Sequence, residues 1–372
     1  MSSPLVTIGV PVYRGQDALP VTLECVRTQT YQNLDVLISV DAGDQETARA
    51  CEPFLRLDPR FRMQVQPSRL GWAGNTDWTM RERRGDFYIY QQHDDQVSPT
   101  YVADLVEAAT RSPRAAVCFA KMDWSGVSSF TQYGFSVTGS AVERALAYLE
   151  SLDCVPFRGL MRGSALAQTS GLLLSDFDPF DSYGTEIRLM AELALQGEFQ
   201  FVPGPIYYKR MHGANLHLKR ESWTDQQKLM AWSCLAAWMI EVLVQAGQNS
   251  GERRRLFDAV LDRFLVARAS PWRWFSPITR RLALTQAGAL HPLRAFLNRL
   301  KQHKYLATSV AGRWMISERN DPAYRAALLR LIFDRLRVAG RFDPKNSVQA
   351  TWESLEEEAN RRFVENGSGL QE

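Results

Sequence analysis

The sequence predicts an α/β domain built on a mainly parallel sheet, followed by an all-helical C-terminal domain. Up to residue 217, short β-rich runs alternate with helical stretches, which is the pattern of βαβ units whose helices cover both faces of a parallel sheet. Beyond residue 217, strand signals vanish and helical periodicity continues to the end. We therefore expect domains at residues 1–217 and 218–372, and a length of 372 residues is enough for two.

The elements of the first domain follow one another in a regular order. Apolar runs predict the strands Leu5–Val10, Asp35–Val40, Phe61–Gln66, Phe87–Gln91, Ala115–Ala120 and, later, Phe199–Val202. Helical patterns follow the first four runs and end near residues 29, 57, 84 and 111. Ser98 is a good N-cap for the last of these helices, and Pro99 suits its first position.

The helical domain carries a basic and aromatic middle region. Its helices are predicted at Trp223–Gln245, Glu252–Arg268, Pro277–Lys301, Tyr324–Val338 and Val348–Val364. Arginines surround Trp272, Trp274 and Phe275, a combination typical of interdomain packing or of contact with an anionic membrane leaflet. Both interpretations stay open, and so does assembly into a homo-oligomer.

The composition excludes several classes of protein. Hydrophobic residues make up 45% and charged residues 23%, which excludes wholesale disorder. Lys and Arg number 44 against 41 Asp and Glu, a balance that argues against a nucleic-acid partner. The five cysteines contain no CxxC pair, and the N-terminus lacks a signal-peptide pattern. Because Glu241 interrupts the longest apolar stretch, Leu229–Ala246, we expect a cytoplasmic protein.

Residues suited to chemistry lie at the ends of the predicted strands. In open α/β sheets, ligands bind beyond the carboxyl ends of the strands. There the sequence places an aromatic residue, a glycine-rich loop and two groups of carboxylates, namely Tyr13, residues 69–75, Asp41 with Asp44, and Asp94 with Asp95. Carboxylates bind Mg²⁺ or Mn²⁺, which bridge phosphates. The pattern therefore favours a metal-assisted nucleotide site.

These strand-end motifs resemble those of the family 2 glycosyltransferases, which have the GT-A fold. The resemblance covers residues 5–217 and includes Pro11-Val12-Tyr13, the Asp41 and Asp44 loop, Arg69–Asn75, and Gln92-His93-Asp94 at the place of the family's DxD motif. Gln92 stands where that motif has its first acid. Metal binding is therefore expected to depend mainly on Asp94.

Two later segments extend the resemblance. Glu186 lies 11 positions before Gly197, where the family has its catalytic base near the start of a helix. The segment Pro203–His212 resembles a family segment whose histidine completes the metal–diphosphate site, and His212 stands at that place. Arg158 and Arg162 are candidates for clamping the diphosphate or an anionic acceptor, with plain surface charge as the alternative.

The resemblance implies an inverting glycosyltransferase of polysaccharide biosynthesis. By this resemblance a nucleotide-sugar, with UDP as the default nucleotide, is held by Pro11, Tyr13, Asp41, Asp44 and Asn75. Mn²⁺ or Mg²⁺ is expected at Asp94 and His212. Glu186 is expected to take the proton from a hydroxyl of a glycan, a lipid-linked molecule or another acceptor, in a single displacement.

The same residues have structural interpretations. Asp44 could be the N-cap of the following helix, and Asp41 could be a turn residue. Trp72 and Trp78 at helical spacing favour packing over sugar stacking, and His93 favours a neighbouring position over a ligand role. The missing first acid also keeps open a catalytically silent nucleotide-sugar-binding module. A sugar-1-phosphate nucleotidyltransferase is the third alternative, although the first loop is poor in glycine.

Overall fold

The computed structural model describes residues 3–126, 129–172, 182–212, 223 and 225–265, together with residues 332 and 357. Apart from those two residues, the last three predicted helices lie outside this part of the chain. The arginine-rich region around Trp272, Trp274 and Phe275 lies outside it as well. In the described ranges we find no helix with the length and apolarity that a bilayer crossing requires.

A nine-stranded mixed sheet organises the N-terminal half of the chain. Its strands are β1 (Val6–Val12), β2 (Leu34–Val40), β3 (Phe61–Val65), β4 (Phe87–Tyr90), β5 (Gln96–Val97), β6 (Ala115–Gly126), β7 (Phe130–Gln132), β8 (Leu160–Arg162) and β9 (Glu198–Met211). Their order in space is β3-β2-β1-β4-β8-β6-β9-β5, and β7 pairs with β6. The predicted α/β class is thus confirmed.

The helices are those expected between the strands, with additions. They are α1 (Leu19–Arg27), α2 (Gln45–Leu57), α3 (Gly71–Arg81), α4 (Tyr101–Arg111), α5 (Ala141–Ser151), α6 (Gly163–Leu166), α7 (Thr185–Gln196), α8 (Asp225–Val244) and α9 (Ser250–Leu265). A short 3₁₀ turn, Val155–Arg158, precedes β8. The first two helices predicted for the C-terminal domain correspond to α8 and α9.

Strand direction differs between the two halves of the sheet. β1 pairs in parallel with β2 and β4, and β2 pairs in parallel with β3. β8 enters between β4 and β6 and runs antiparallel to both, so the sheet is less uniformly parallel than the sequence predicts. β6 and β9 are again parallel, and both are longer than the runs that predicted them.

The core of the sheet is the continuous apolar surface of β1 and β2. Every residue of both strands is buried, as expected for strands covered on both faces. Gly9 in β1 is required by close approach, since a Cβ there would lie 2.4 Å from the Tyr88 hydroxyl. That hydroxyl bonds Thr79 of α3 at 2.7 Å, so the helix is held closely against the sheet.

By its internal contacts the chain divides into two compact units, residues 1–222 with 242–256 and residues 223–241 with 257–372. The first contains the sheet. In the second, the Trp232 indole N–H donates to the Phe264 carbonyl oxygen at 3.1 Å, and the two rings lie 4.5 Å apart. The expected domain boundary at residue 217 stays a prediction.

A buried carboxylate connects β1, β2 and β3 near their N-terminal ends. Asp35 of β2 accepts hydrogen bonds from Arg62 Nε at 2.7 Å, Arg62 Nη2 at 2.9 Å and the Thr7 hydroxyl at 2.8 Å. Burial raises the pKa of the Asp35 carboxyl, but the bonds from Arg62 and Thr7 outweigh it, so the pKa lies below its ordinary value. The ionised form therefore stabilises the fold.

We predict that Asp35→Asn lowers the free energy of unfolding at pH 7 by about 1.5–3 kcal/mol, the range for hydrogen bonds to charged groups. Because the folded-state pKa is depressed, the difference from wild type should be complete above about pH 5 and should disappear as the pH falls through the folded-state pKa. Urea denaturation at several pH values measures it. Glu107→Gln, in an exposed ion pair with Arg111, is the control and should change stability little.

Candidate active site

The ends of β1, β2 and β4 lie side by side, as their parallel register requires. The loops that follow these strands carry most of the residues that the sequence predicts for the site. Two elements from later in the chain add to them: the end of β9, which carries His212 just beyond it, and the first turn of α7, which carries Glu186. This edge of the sheet is the candidate active site.

Asp94 and His212 meet at this edge although they are far apart in sequence. His212 Nε2 lies 2.7 Å from Asp94 Oδ2, and Asp94 is only 8% exposed. Burial raises the pKa of the Asp94 carboxyl, but His93, Lys209 and His212 outweigh it and bring the pKa below its ordinary value. Asp94 is therefore an anion at neutral pH. Its second oxygen, Oδ1, is buried and has no hydrogen-bond partner.

Asp95 has a different role from its neighbour. It is fully buried, and Oδ2 accepts from the Lys209 ammonium and the Tyr207 hydroxyl, each at 2.9 Å. Oδ1 accepts from the Arg210 backbone N–H at 2.9 Å. Both oxygens are thus used inside the protein, and Asp95 joins the loop after β4 to strand β9.

Gln92 connects two cationic side chains. Its amide oxygen accepts from Lys209 Nζ at 2.6 Å and from Arg158 Nη2 at 3.2 Å. The Arg158 guanidinium also lies over aromatic rings, 4.8 Å from the centroid of Tyr90 and 5.2 Å from that of Phe157. Arg158 Nε is buried without a hydrogen-bond partner.

Glu186 lies in the first turn of α7, where a helix favours a negative charge. The helix begins after Gly184, whose φ of 80° lies in the left-handed region that favours glycine. Burial raises the pKa of the Tyr90 phenol, and the charges of Asp95, Asp94 and Glu186 raise it further while Arg158 opposes them. These four charged groups are therefore near enough to Tyr90 to act on its pKa. Glu186 Oε2 is buried without a partner.

The unpartnered atoms are the main feature of the site. In the described ranges, three buried side-chain atoms have no hydrogen-bond partner: Asp94 Oδ1, Arg158 Nε and Glu186 Oε2. An unpartnered buried polar atom costs about 1–3 kcal/mol, more for a charged group, so such atoms are rare. All three belong to residues that the sequence predicts for the site. Their natural partners are atoms of a bound ligand.

A divalent cation fits the Asp94 and His212 pair. One carboxylate oxygen without a partner and one imidazole nitrogen are suitable ligands for Mn²⁺, and Mg²⁺ would use the carboxylate with waters and phosphate oxygens. Within the described residues no group of three or more His, Cys, Asp or Glu side chains could hold a metal ion. A metal here would therefore complete its coordination with ligand oxygens and water.

The residues expected to contact the nucleoside lie at the ends of β1 and β2 or in the loops that follow these strands. Pro11 is buried in β1, and Tyr13 is half-buried in the loop after it. The Arg69 guanidinium lies 3.8 Å from the centroid of the Tyr13 ring, and that of Arg14 lies 5.2 Å from it. Cation–π contacts thus join the loop after β1 to the one before α3.

Asp41 and Asp44 are at the predicted place, but both bond the backbone. Asp41 is 1% exposed and accepts from the N–H groups of Leu70 at 2.7 Å and Gly71 at 3.0 Å. Asp44 is the N-cap of α2, with Oδ1 3.2 Å from the Thr47 N–H. The N-cap role that the sequence suggests for Asp44 is thus observed. Contacts of either residue with a nucleoside stay a prediction.

Asn75 has a structural role that the sequence did not predict. It is 2% exposed, and its amide N–H donates to the Ser39 carbonyl oxygen at 3.0 Å while its amide oxygen accepts from the Ser39 hydroxyl. Gln66 completes the network through the same hydroxyl at 2.7 Å. Asn75 therefore holds α3 to β2, and its contact with a nucleotide stays a prediction.

Arg162 bonds the backbone at a distance from the other candidate residues. Its guanidinium donates to the carbonyl oxygens of Ala115 at 2.9 Å and Ala109 at 3.0 Å and lies 5.0 Å from the Phe87 ring centroid. Because β8 runs antiparallel to β4, its beginning lies beside the end of β4 and its end beside the beginning. Arg158 is thus at the site, and Arg162 is at the opposite edge of the sheet.

Sequence reasoning missed Lys209 and the role of Tyr90. Lys209 follows two tyrosines in the segment Tyr207-Tyr208-Lys209. A charged residue in such an aromatic segment is the feature of the sequence that could have pointed to it. Alternation along β9 places Tyr207 and Lys209 on one face, and both reach Asp95. Tyr90 gave no signal in the sequence, since an aromatic residue is ordinary in a buried strand.

Comparison with known sequences gives matches over part of the chain. Residues 7–170 match the profile of the family described as Glycosyl transferase family 2. The putative glycosyltransferase EpsH of Bacillus subtilis is 26% identical over 119 residues, which are 32% of this chain and 34% of that protein. Glycosyltransferase GlyG of Streptococcus pneumoniae is 25% identical over 105 residues, 28% of this chain and 35% of that protein. The matches thus span about a third of these relatives' length.

Solved structures show a similar fold at low sequence identity. Staphylococcus aureus TarS 1-349 has a TM-score of 0.55 and 11% identity, covering 99% of this chain and 92% of that one. The mannosyltransferase PcManGT from Pyrobaculum calidifontis, in complex with GDP-Man and Mn²⁺, has a TM-score of 0.51 and 14% identity, covering 90% and 88%. The sheet described above has the fold of the GT-A glycosyltransferases, and residues 7–170 resemble glycosyl transferase family 2 in sequence.

Proposed function

We propose that the protein is an inverting glycosyltransferase that moves a sugar from a nucleoside diphosphate to a hydroxyl group of an acceptor. The observation that carries this proposal is the set of unpartnered buried atoms on Asp94, Arg158 and Glu186. One carboxylate beside a histidine suits a metal-bound diphosphate, a guanidinium suits the diphosphate itself, and a second carboxylate suits a base. The match of residues 7–170 to the profile of glycosyl transferase family 2 supports the same assignment.

The donor is proposed to be a nucleotide-sugar, with UDP as the default nucleotide. A structure of TarS 1-349 contains UDP, and PcManGT was solved with GDP-Man and Mn²⁺. In this chain we propose that Pro11 and Tyr13 contact the nucleoside, with Asp41 and Asp44 supporting the loops around it. Arg158 would bind the diphosphate through charge-assisted hydrogen bonds.

We propose that Mn²⁺ or Mg²⁺ is held by Asp94 and His212. Such a cation, when bound, neutralises the negative charge that develops on the leaving diphosphate. Asp94 offers its free oxygen for this purpose. The contact between Asp94 and His212 keeps both side chains at the same place before the metal arrives.

The proposed reaction is a single displacement. The acceptor oxygen forms a bond with the anomeric carbon while the bond from that carbon to the diphosphate oxygen breaks, and the nucleoside diphosphate leaves with the electron pair. Glu186 accepts the proton of the attacking hydroxyl. General-base catalysis of this kind contributes about 10²–10⁴-fold. The acceptor is proposed to be a glycan or lipid-linked hydroxyl.

We predict that the purified full chain, with Mn²⁺ and a panel of UDP- and GDP-sugars, releases a nucleoside diphosphate. Release should be faster with one donor than with the others and should rise when a mixture of glycan and lipid-linked acceptors is added. Coupled detection of UDP and GDP measures it. Release of pyrophosphate from a sugar-1-phosphate and a nucleoside triphosphate would identify a nucleotidyltransferase instead. Binding of a donor without any release would identify a silent binding module.

We predict that Glu186→Gln lowers the rate of transfer by at least about 10²-fold, because the amide cannot accept the acceptor proton. The dissociation constant of the donor should stay within a few-fold of wild type, since Glu186 acts on the acceptor. Steady-state rates and donor titration by calorimetry measure the two effects. Glu107→Gln, an exposed glutamate on α4, is the matched control and should leave both unchanged. Near-wild-type turnover by Glu186→Gln would assign the base to another residue.

We predict that transfer depends on a divalent cation and that Asp94→Asn removes this dependence together with most of the activity. The substitution keeps the shape of the side chain and removes the charge that holds the metal. Rates across a Mn²⁺ titration and Mn²⁺ binding without donor measure the two consequences. Asp104→Asn, on helix α4, is the control. Full activity of the wild-type protein in excess EDTA would refute the metal assignment.

A further inference from the structure

Two cations of the candidate site share one uncharged acceptor. Lys209 Nζ lies 2.6 Å and Arg158 Nη2 lies 3.2 Å from the same amide oxygen of Gln92. An amide oxygen carries no net charge, so it joins the two cations without cancelling either charge. Whether each charge is balanced depends on the other neighbours of each residue.

The charge of Lys209 is balanced by Asp95. Lys209 is 6% exposed and forms an ion pair of 2.9 Å with Asp95, which is fully buried. The same carboxylate accepts two further hydrogen bonds, from the Tyr207 hydroxyl and the Arg210 N–H. Lys209 and Asp95 thus form a neutral buried pair. That pair fixes the position of Gln92, since Lys209 also bonds its amide.

Arg158 forms no direct ion pair of this kind. In the described part of the chain its guanidinium bonds the Gln92 amide and faces the rings of Tyr90, Phe157 and Tyr207, at 4.8, 5.2 and 6.0 Å. No described carboxylate forms an ion pair with it, and Nε is buried without a partner. Burial opposes the charged form of Arg158, but neighbours that include Asp95 favour it, and the pKa lies above its ordinary value. With Nε unpartnered, the guanidinium therefore has a donor to offer to an anion.

We propose that Arg158, positioned by the Lys209–Gln92 contact, is a built-in cation that binds the diphosphate of the donor without requiring a metal. The metal at Asp94 and His212 then strengthens diphosphate binding and does not create it. This inference rests on the proposed function only in identifying the anion as the donor's diphosphate.

The identity of residue 92 is central to this arrangement. A carboxylate at this position would bond both Lys209 and Arg158 and would cancel the charge that Arg158 offers to a ligand. Gln92 keeps the hydrogen bonds and leaves the charge available. Glutamine thus accepts the hydrogen bonds of Lys209 and Arg158 and leaves the charge of Arg158 available to an anion.

Inorganic pyrophosphate is the probe that isolates this charge from the nucleoside and the sugar. We predict that the wild-type chain binds pyrophosphate in excess EDTA, as measured by calorimetry. Gln92→Glu, which has the same shape as glutamine, should weaken this binding by at least about tenfold, because the new carboxylate pairs with Arg158 and repels the ligand. Arg158→Gln should weaken it similarly. Arg111→Gln, an exposed arginine on α4, is the matched control and should not change it.

A second arm measures the metal contribution. Adding Mn²⁺ should tighten pyrophosphate binding more for Gln92→Glu than for wild type, since the variant adds a carboxylate beside Asp94 and lacks the free cation. Unfolding midpoints in urea show that the variants are folded. Gln92→Glu retains every hydrogen-bond acceptor of the pair, so it decides the question even if Arg158→Gln does not fold.

Two results would overturn the proposal. Wild-type protein that binds pyrophosphate only with Mn²⁺ would show that Arg158 provides no independent site. Equal affinity of wild type and Gln92→Glu in EDTA would show that the charge at residue 92 is irrelevant. Neither result depends on sugar transfer, which the donor panel tests separately. The failure of the proposed function and that of this inference are therefore distinguishable.

Discussion

The buried ion pair between Asp95 and Lys209 is the interaction on which the candidate site depends. It joins the loop after β4 to β9, two segments separated by more than a hundred residues, with Nζ 2.9 Å from Oδ2 and no exposure of Asp95. The loss of one partner from such a pair leaves an uncompensated charge and costs about 3–5 kcal/mol. The backbone pairing of β5 with β9, Gln96 opposite Tyr208, continues the same connection.

Several functional positions follow from this one connection. Because β9 is held against the loop, Lys209 reaches Gln92 and His212 reaches Asp94 at 2.7 Å. A single structural pair therefore places both His212, the metal ligand proposed just beyond β9, and the amide that contacts Arg158. The candidate active site is thus stabilised by Asp95 and Lys209, whose charged groups are paired with each other.

The sequence allowed six strands, β1 to β4, β6 and β9, and the strand-end motifs to be predicted, because most buried strands are apolar runs with turn residues behind them. It gave no signal for the short strands β5 and β7. It did not allow β8 to be predicted, since the three residues of Leu160–Arg162 are too few to show a period. Arg158 and Arg162 therefore looked equivalent. Only the antiparallel direction of β8 separates them, and Asn75 likewise depended on which face of α3 packs against β2.

The acidic residues of the site are divided by their partners and not by their sequence context. Asp41, Asp44 and Asp95 all follow strands, and backbone N–H groups or Lys209 occupy their oxygens. Asp94 and Glu186 each keep one buried oxygen without a partner. The first group holds the loops in place in the absence of ligand, since these carboxylate oxygens accept their hydrogen bonds from groups within the protein. The second group is satisfied only when a ligand supplies the missing partner, and for that reason we assign chemistry to Asp94 and Glu186 alone among these carboxylates.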